Sequence, residues 1–201
     1  MKLIGMLDSP YVRRVAISLE LYGVPFEHQA LSVFSTFDEF SRLNPVVKAP
    51  TLVLDDGTVL MDSGLILDYL EALAPVGSKL LPPSAPALAK DLQVIGLALA
   101  ACEKTVQIVY EHHLRPAEKL HQPWIDRVTG QLLAAYSLLD ARVAVRDSEA
   151  PLNQASLTVA VAWSFSQLKI ADVVKAEAFP HLQRHAALAE QHPAFRRYPT
   201  E

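Results

Sequence analysis

Three short polar stops in the first third of this 201-residue chain carry residues able to do chemistry: Ser9-Pro10, Lys48-Ala49-Pro50 and Asp62-Ser63-Gly64. Serine ahead of proline is a helix start, with Ser9 as N-cap. The same geometry suits an anion, because a helix N-terminus offers free N–H groups and partial positive charge. A thiolate is such an anion. A hydrogen bond to a charged group is worth about 1.5–3 kcal/mol, or roughly one to two pKa units for a thiol that starts near 8.5. Ala49-Pro50 precedes an apolar run. It reads either as an ordinary trans proline at a strand start or as a cis bond that turns the Ala49 main chain outward to pair with a ligand's peptide group. Lys48 is either a solvated lysine or the partner of a carboxylate. Asp62-Ser63 reads as a second helix cap. It also suits a free amino-acid end, with the Ser63 hydroxyl and N–H facing a carboxylate and Asp62 facing an ammonium. Together the stops suggest one site for a small, negatively charged, peptide-like ligand.

The elements that would position these residues alternate. Lys2 to Leu7 is a short apolar run, a buried strand. Val12, Val15, Ala16, Leu19 and Tyr22 keep helical spacing after Pro10, and Gly23 is a C-terminal stop. Phe26 to Leu31 reads as a strand. Ser35 to Leu43 is a weaker helix, ended by Asn44-Pro45. Two apolar runs flank Asp55-Asp56-Gly57, a hairpin signal. A helix with Leu65, Ile66, Tyr69, Leu70 and Leu73 follows Asp62-Ser63. The proline-rich stretch from Ala74 to Pro86 reads as a linker without regular structure. Beyond it the chain is helical. Leu88, Leu92, Ile95, Leu99, Cys102, Val106 and Val109 form one long seam, Ile125 to Val143 a second, Leu157 to Leu168 a third and His181 to Gln191 a fourth. The expected domains are 1–76, a 77–86 linker and 87–201.

Composition narrows the class. Hydrophobic residues make up 51 % and charged residues 20 %, so a core is expected and disorder is not. The net charge of −4 provides no field for nucleic acid. No apolar run approaches the roughly 18 residues a membrane helix needs. Asp8 closes the first apolar run before it reaches secretory length. A single cysteine, Cys102, fits a reducing compartment. The expectation is a soluble cytoplasmic protein with no nucleic-acid or membrane partner.

The segments Ser9-Pro10-Tyr11-Val12-Arg13-Arg14-Val15, Asn44-Pro45-Val46-Val47-Lys48-Ala49-Pro50-Thr51-Leu52 and Asp62-Ser63-Gly64-Leu65-Ile66 resemble the glutathione transferase superfamily, in order and spacing. They look closest to its bacterial serine-type members. The resemblance implies a thioredoxin-like N-terminal domain, α/β in class, followed by an all-helical C-terminal domain. It implies glutathione as co-substrate, with no metal. Ser9 would activate the thiol, Lys48 would face the glycyl carboxylate, and the Ala49 main chain beside a cis Pro50 would pair with the cysteinyl unit. Asp62 and Ser63 would hold the γ-glutamyl end. Three departures stand out. Ala49 occupies a place often held by Val, a mild change because only its backbone is needed. Val47 occupies a place often held by Gly. In the stretch Ser156-Leu157-Thr158-Val159, Val159 stands where a helix-capping Asp is expected.

The activity expected is attack of a glutathione thiolate on a small hydrophobic electrophile. A glutathione-dependent disulfide or peroxide reductase and a non-catalytic glutathione-binding scaffold are the alternatives. Tyr11, Phe34 and Tyr110 are candidates for the second-substrate pocket. The apolar seams exceed what a small helical domain buries, which points to a homodimer. His181 and His185, four apart on one helix, are a metal pair lacking a third ligand. Cys102 reads as a small core residue, and Trp124 and Trp163 as packing residues.

Overall fold

The computed structural model describes residues 1–146 and 150–200, and the chain forms two compact units, Met1–Leu81 with His192–Glu201 and Pro82–Gln191. The first unit contains β1 (Lys2–Ile4), α1 (Pro10–Tyr22), β2 (Glu27–Gln29), α2 (Phe37–Leu43), β3 (Thr51–Val53), β4 (Val59–Met61) and α3 (Ser63–Leu73). Its four strands run in the order β2-β1-β3-β4. β1 pairs parallel with β2 and antiparallel with β3, and β3 pairs antiparallel with β4. Successive strand residues point to opposite faces. Leu3 therefore joins Val12, Val15, Leu19, Ile66 and Leu70 of α1 and α3, while Ile4 joins Leu31 and Phe40 on the α2 side. This thioredoxin-like α/β layering sets the starts of α1 and α3 and the turn before β3.

The second unit contains α4 (Ala85–His113), α5 (Gln122–Ala144), α6 (Gln154–Ile170) and α7 (Pro180–Ala189). α4 packs on α5 and α6, and α7 packs on α5 and α6. From Gln154 to Ser166 every residue of α6 except Ser164 is buried, as befits a helix enclosed by others. Thr105 and Ser166 share a hydrogen bond of 2.6 Å, and the Tyr136 hydroxyl donates to the Ala162 carbonyl at 2.9 Å. Burial drives the Tyr136 hydroxyl's pKa far above its ordinary value, so it stays a neutral donor. Cys102 and Trp163 lie in this core.

Several expectations from sequence change here. The linker holds a 3-10 turn at Val76–Ser78, and α4 begins at Ala85, inside the stretch read as irregular. The buried face of α4 is Ile95, Ala98, Ala101, Cys102, Thr105 and Ile108, a line rotated from the apolar seam, and Leu92 is half exposed. Against the expectation that no apolar run reaches membrane length, α4 is long and apolar enough to cross a membrane by length and composition. A third of that window is buried, at 33 %. A final short helix, α8 (Pro193–Arg197), was not expected, and it belongs with the first unit instead of the helical one.

The departure at Val159 resolves differently from the sequence reading. The capping box of α6 is Asn153 and Ser156: the Ser156 N–H donates to Asn153 Oδ1 at 2.9 Å, and the Asn153 N–H donates to Ser156 Oγ at 3.0 Å. The motif lies three residues earlier than expected. Val159 lies inside the helix as a core residue with 1 % exposure.

Candidate functional site

Gly5 is what lets the first two polar stops approach. It sits at φ 140°, where L side chains are strained, and a Cβ there would lie 2.5 Å from Val12 Cγ2 and 3.2 Å from Ala49 Cβ. The start of α1 and the Ala49 turn therefore meet across a position that only hydrogen fits. Ser9 caps α1 as expected, with the Val12 N–H 3.5 Å from Ser9 Oγ. So long a contact engages the hydroxyl only weakly. The Ser9 carbonyl accepts the Arg13 N–H at 2.9 Å, closing the first turn.

The Ala49-Pro50 bond is cis. The turn is stapled by two buried polar side chains inside the Asn44–Thr51 motif that sequence reasoning quoted without assigning them work. Asn44 Nδ2 donates to Thr51 Oγ1 at 2.8 Å, and Thr51 Oγ1 donates to the Lys48 carbonyl at 2.7 Å. Asn44 Oδ1 also accepts the Val46 N–H at 3.0 Å. Among the described residues the Ala49 main chain has no hydrogen-bond partner. Its N–H and C=O are strong polar groups that call for one.

Asp62, at φ 72°, caps α3, its Oδ1 accepting the Gly64 N–H at 2.9 Å. Ser63 is buried at the first helical position, and its Oγ accepts a bond from Arg14 Nη1 at 3.2 Å. Arg14 is the residue that sequence reading missed. Its position on the same helical turn as Val15 gave it no distinguishing signal beyond a charge among apolar neighbours. Because Ser63 Oγ accepts from a guanidinium, its own proton is directed elsewhere, toward any anion at the α3 N-terminus. Lys48 Nζ lies 3.8 Å from Asp62 Oδ2, with both side chains about half exposed. Two cations, Lys48 and Arg14, and one anion, Asp62, thus stand at the start of α3.

Of the second-substrate candidates, Tyr11 lies in the first turn of α1, Phe34 is exposed between β2 and α2, and Tyr110 is on α4 in the second unit. His185 Nε2 donates to the Ser156 carbonyl at 2.9 Å, which commits that nitrogen to the protein itself. Among the described residues no group of three or more His, Cys, Asp or Glu side chains is placed to hold a metal ion.

Residues 3–83 match the family model of the glutathione S-transferase N-terminal domain. A solved structure of a glutathione transferase family member from Pseudomonas fluorescens Pf-5, with bound S-(propanoic acid)-glutathione, is similar with a TM-score of 0.85 and 28 % identity, covering 98 % of this chain and 97 % of that one. The domain spanning residues 3–83 belongs to the glutathione S-transferase superfamily. Within it, the chain is 35 % identical over 82 residues to the uncharacterised GST-like protein YibF of Escherichia coli (strain K12), a match covering 41 % of this chain and only 40 % of that protein. It is 28 % identical over 209 residues to a maleylacetoacetate isomerase of Pseudomonas aeruginosa, covering 98 % of this chain and 94 % of that protein. The fold of this superfamily, a thioredoxin-like domain followed by helices, is the architecture described above.

Proposed function

We propose that this chain is a serine-type glutathione transferase that joins the thiolate of glutathione to a small hydrophobic electrophile. The observation that carries the reading is the meeting, across Gly5, of the Val12 side chain in the first turn of α1 with the Cβ of Ala49, whose main chain has no hydrogen-bond partner among the described residues. The start of α1 offers a cap for an anion and Ala49 offers free peptide groups. A tripeptide lying along Ala49 would bring its cysteinyl sulfur to Ser9. Asp62 and Ser63 supply the charge and hydrogen bonds that a zwitterionic amino-acid head requires, and Lys48 supplies a cation for the glycyl carboxylate. Ser9 Oγ–H donates to the sulfur, the helix N-terminus adds its dipole, and the thiol proton leaves to solvent. The thiolate then forms the new S–C bond, and the electrophile's leaving group departs with the electron pair.

A second reading is favoured by the near full-length similarity to an isomerase. Here the same thiolate adds to a conjugated double bond, the resulting single bond rotates, and elimination returns the thiolate. Both readings need Ser9, and they differ in whether glutathione is consumed. Turnover of a model aromatic halide with loss of free thiol supports transfer. Isomerisation of a cis-enedione at constant thiol supports the alternative. Ser9→Ala should lower either rate by on the order of tenfold to a hundredfold. An unchanged rate would remove Ser9 from the mechanism, and binding without any turnover would leave a scaffold.

A homodimer in a reducing cytoplasm completes the proposal. Its support is the sheet edge at β4, where Val59 and Met61 are exposed, followed by exposed Leu65 on α3. Apolar side chains beside an unpaired strand edge favour a partner surface.

A further inference from the structure

Two polar side chains are buried at the Ala49 turn, Thr51 with 0 % exposure and Asn44 with 4 %. Buried amides and hydroxyls are costly unless bonded. Here each bond also has a fixed direction. The Val46 N–H donates to Asn44 Oδ1 at 3.0 Å, which sets the amide so that Nδ2 faces Thr51. Asn44 Nδ2 donates to Thr51 Oγ1 at 2.8 Å, and Thr51 Oγ1 donates to the Lys48 carbonyl at 2.7 Å. Every donor in this series points the same way, from Val46 through Asn44 and Thr51 to Lys48. The Lys48 carbonyl shares a planar peptide unit with the Ala49 N–H. Among the described residues the only cis bond is Ala49-Pro50, so the Lys48-Ala49 unit is trans and its C=O and N–H are antiparallel. Holding the carbonyl on buried Thr51 therefore aims the N–H away from that side chain. No described residue accepts it. Donation to a carbonyl also polarises its amide, which strengthens the N–H as a donor.

We propose that Thr51, oriented by Asn44, is a specificity-determining positioning residue that aims the Ala49 N–H at the carbonyl of the central residue of a peptide ligand. The proposal rests on the glutathione reading above and adds a preference to it. The site discriminates a tripeptide from a γ-glutamyl thiol that lacks this carbonyl. Thr51 acts through the peptide unit and not on the sulfur, so thiolate stabilisation is left to Ser9. A threonine that only stabilised the turn would affect both kinds of ligand alike.

The test compares two ligands on the full chain by calorimetry. One is glutathione. The other is γ-glutamylcysteamine, which keeps the γ-glutamyl head and the thiol but ends before the carbonyl. Thr51→Val keeps the side-chain shape and removes the hydroxyl. It should weaken glutathione binding by on the order of fivefold, the worth of one hydrogen bond, and γ-glutamylcysteamine binding by less than about twofold. Thr51→Ser should recover the affinity for glutathione. Equal losses for the two ligands, or no loss for glutathione, would overturn the relay and leave the glutathione reading standing. If Thr51→Val does not fold, or the analogue binds too weakly to titrate, the Ala49 amide proton of the unaltered protein decides. Its resonance should move downfield as glutathione is added, and an unmoved resonance overturns the relay. Calorimetry showing no glutathione binding by the unaltered protein would overturn both proposals.

Discussion

Val47 carries a cost that its neighbours impose. Its N–H donates to the Asn44 carbonyl at 2.9 Å, and the turn that follows must present Ala49, so the backbone at 47 is driven to φ 51°. That region disfavours L side chains by roughly 1–2 kcal/mol, and β-branching adds crowding. Glycine would relieve the strain but add about 0.5–1 kcal/mol of unfolded-chain entropy. The first effect is larger, so Val47→Gly should raise stability by about 1 kcal/mol, seen as a higher midpoint in urea with unchanged m. A lowered midpoint would mean that the Val47 side chain contributes more packing to the α2 side than its backbone loses. The sequence flagged this position only because glycine was expected there. The reason, a left-handed turn shared with Asn44 and Thr51, is a property of the folded loop. Arg14 stayed hidden for the same cause: its bond to Ser63 joins two helices 49 positions apart.

Elements with their own local signals were legible. α1 begins at Pro10 and ends before Gly23 because a cap, a proline and a left-handed glycine define both ends within the segment itself. The hairpin around Asp55-Asp56-Gly57 was legible for the same reason. The buried line of α4 was not, since it is set by where α5 and α6 lie, and Thr105 is drawn inside by Ser166. The start of α6 falls between these cases. Its capping box was sought at Ser156 and is found at Asn153, whose side chain also donates to Asp91 Oδ2 at 2.7 Å on α4. One residue thus caps a helix and ties it to its neighbour. Asn153→Ala should cost about 1–2 kcal/mol and lower the thermal midpoint by a few degrees. Val159→Asp, which would install the residue expected from the family, should destabilise more, because it buries a carboxylate inside a completed helix. If Val159→Asp proves neutral, the capping register assigned here is wrong.

At the scale of the whole molecule, the order of a strand-and-helix half followed by a helical half was legible from patterning. The return of His192–Glu201 to the first unit was not, because a five-residue helix has too little periodicity to declare its partner. Global stability gains a pH dependence from the second unit. His185 on α7 is partly buried and donates to the Ser156 carbonyl at the start of α6. Burial holds its pKa below the ordinary 6.5. The bond to Ser156 works against that lowering, and the charge of Arg146 adds to it. The unfolded chain therefore takes up this proton at a higher pH than the folded chain does. The neutral histidine's contribution is complete above about pH 6.5. It is lost as the pH falls from there through the folded pKa, at up to about 1.4 kcal/mol per pH unit, and then levels off. Thermal midpoints at pH 7.5, 6.5 and 5.5 should fall across the lower step. His185→Gln keeps an N–H for Ser156 but cannot titrate, so its midpoint should fall less over the same step. Equal falls in the two proteins would assign the pH dependence to the carboxylates instead of to the α6–α7 contact.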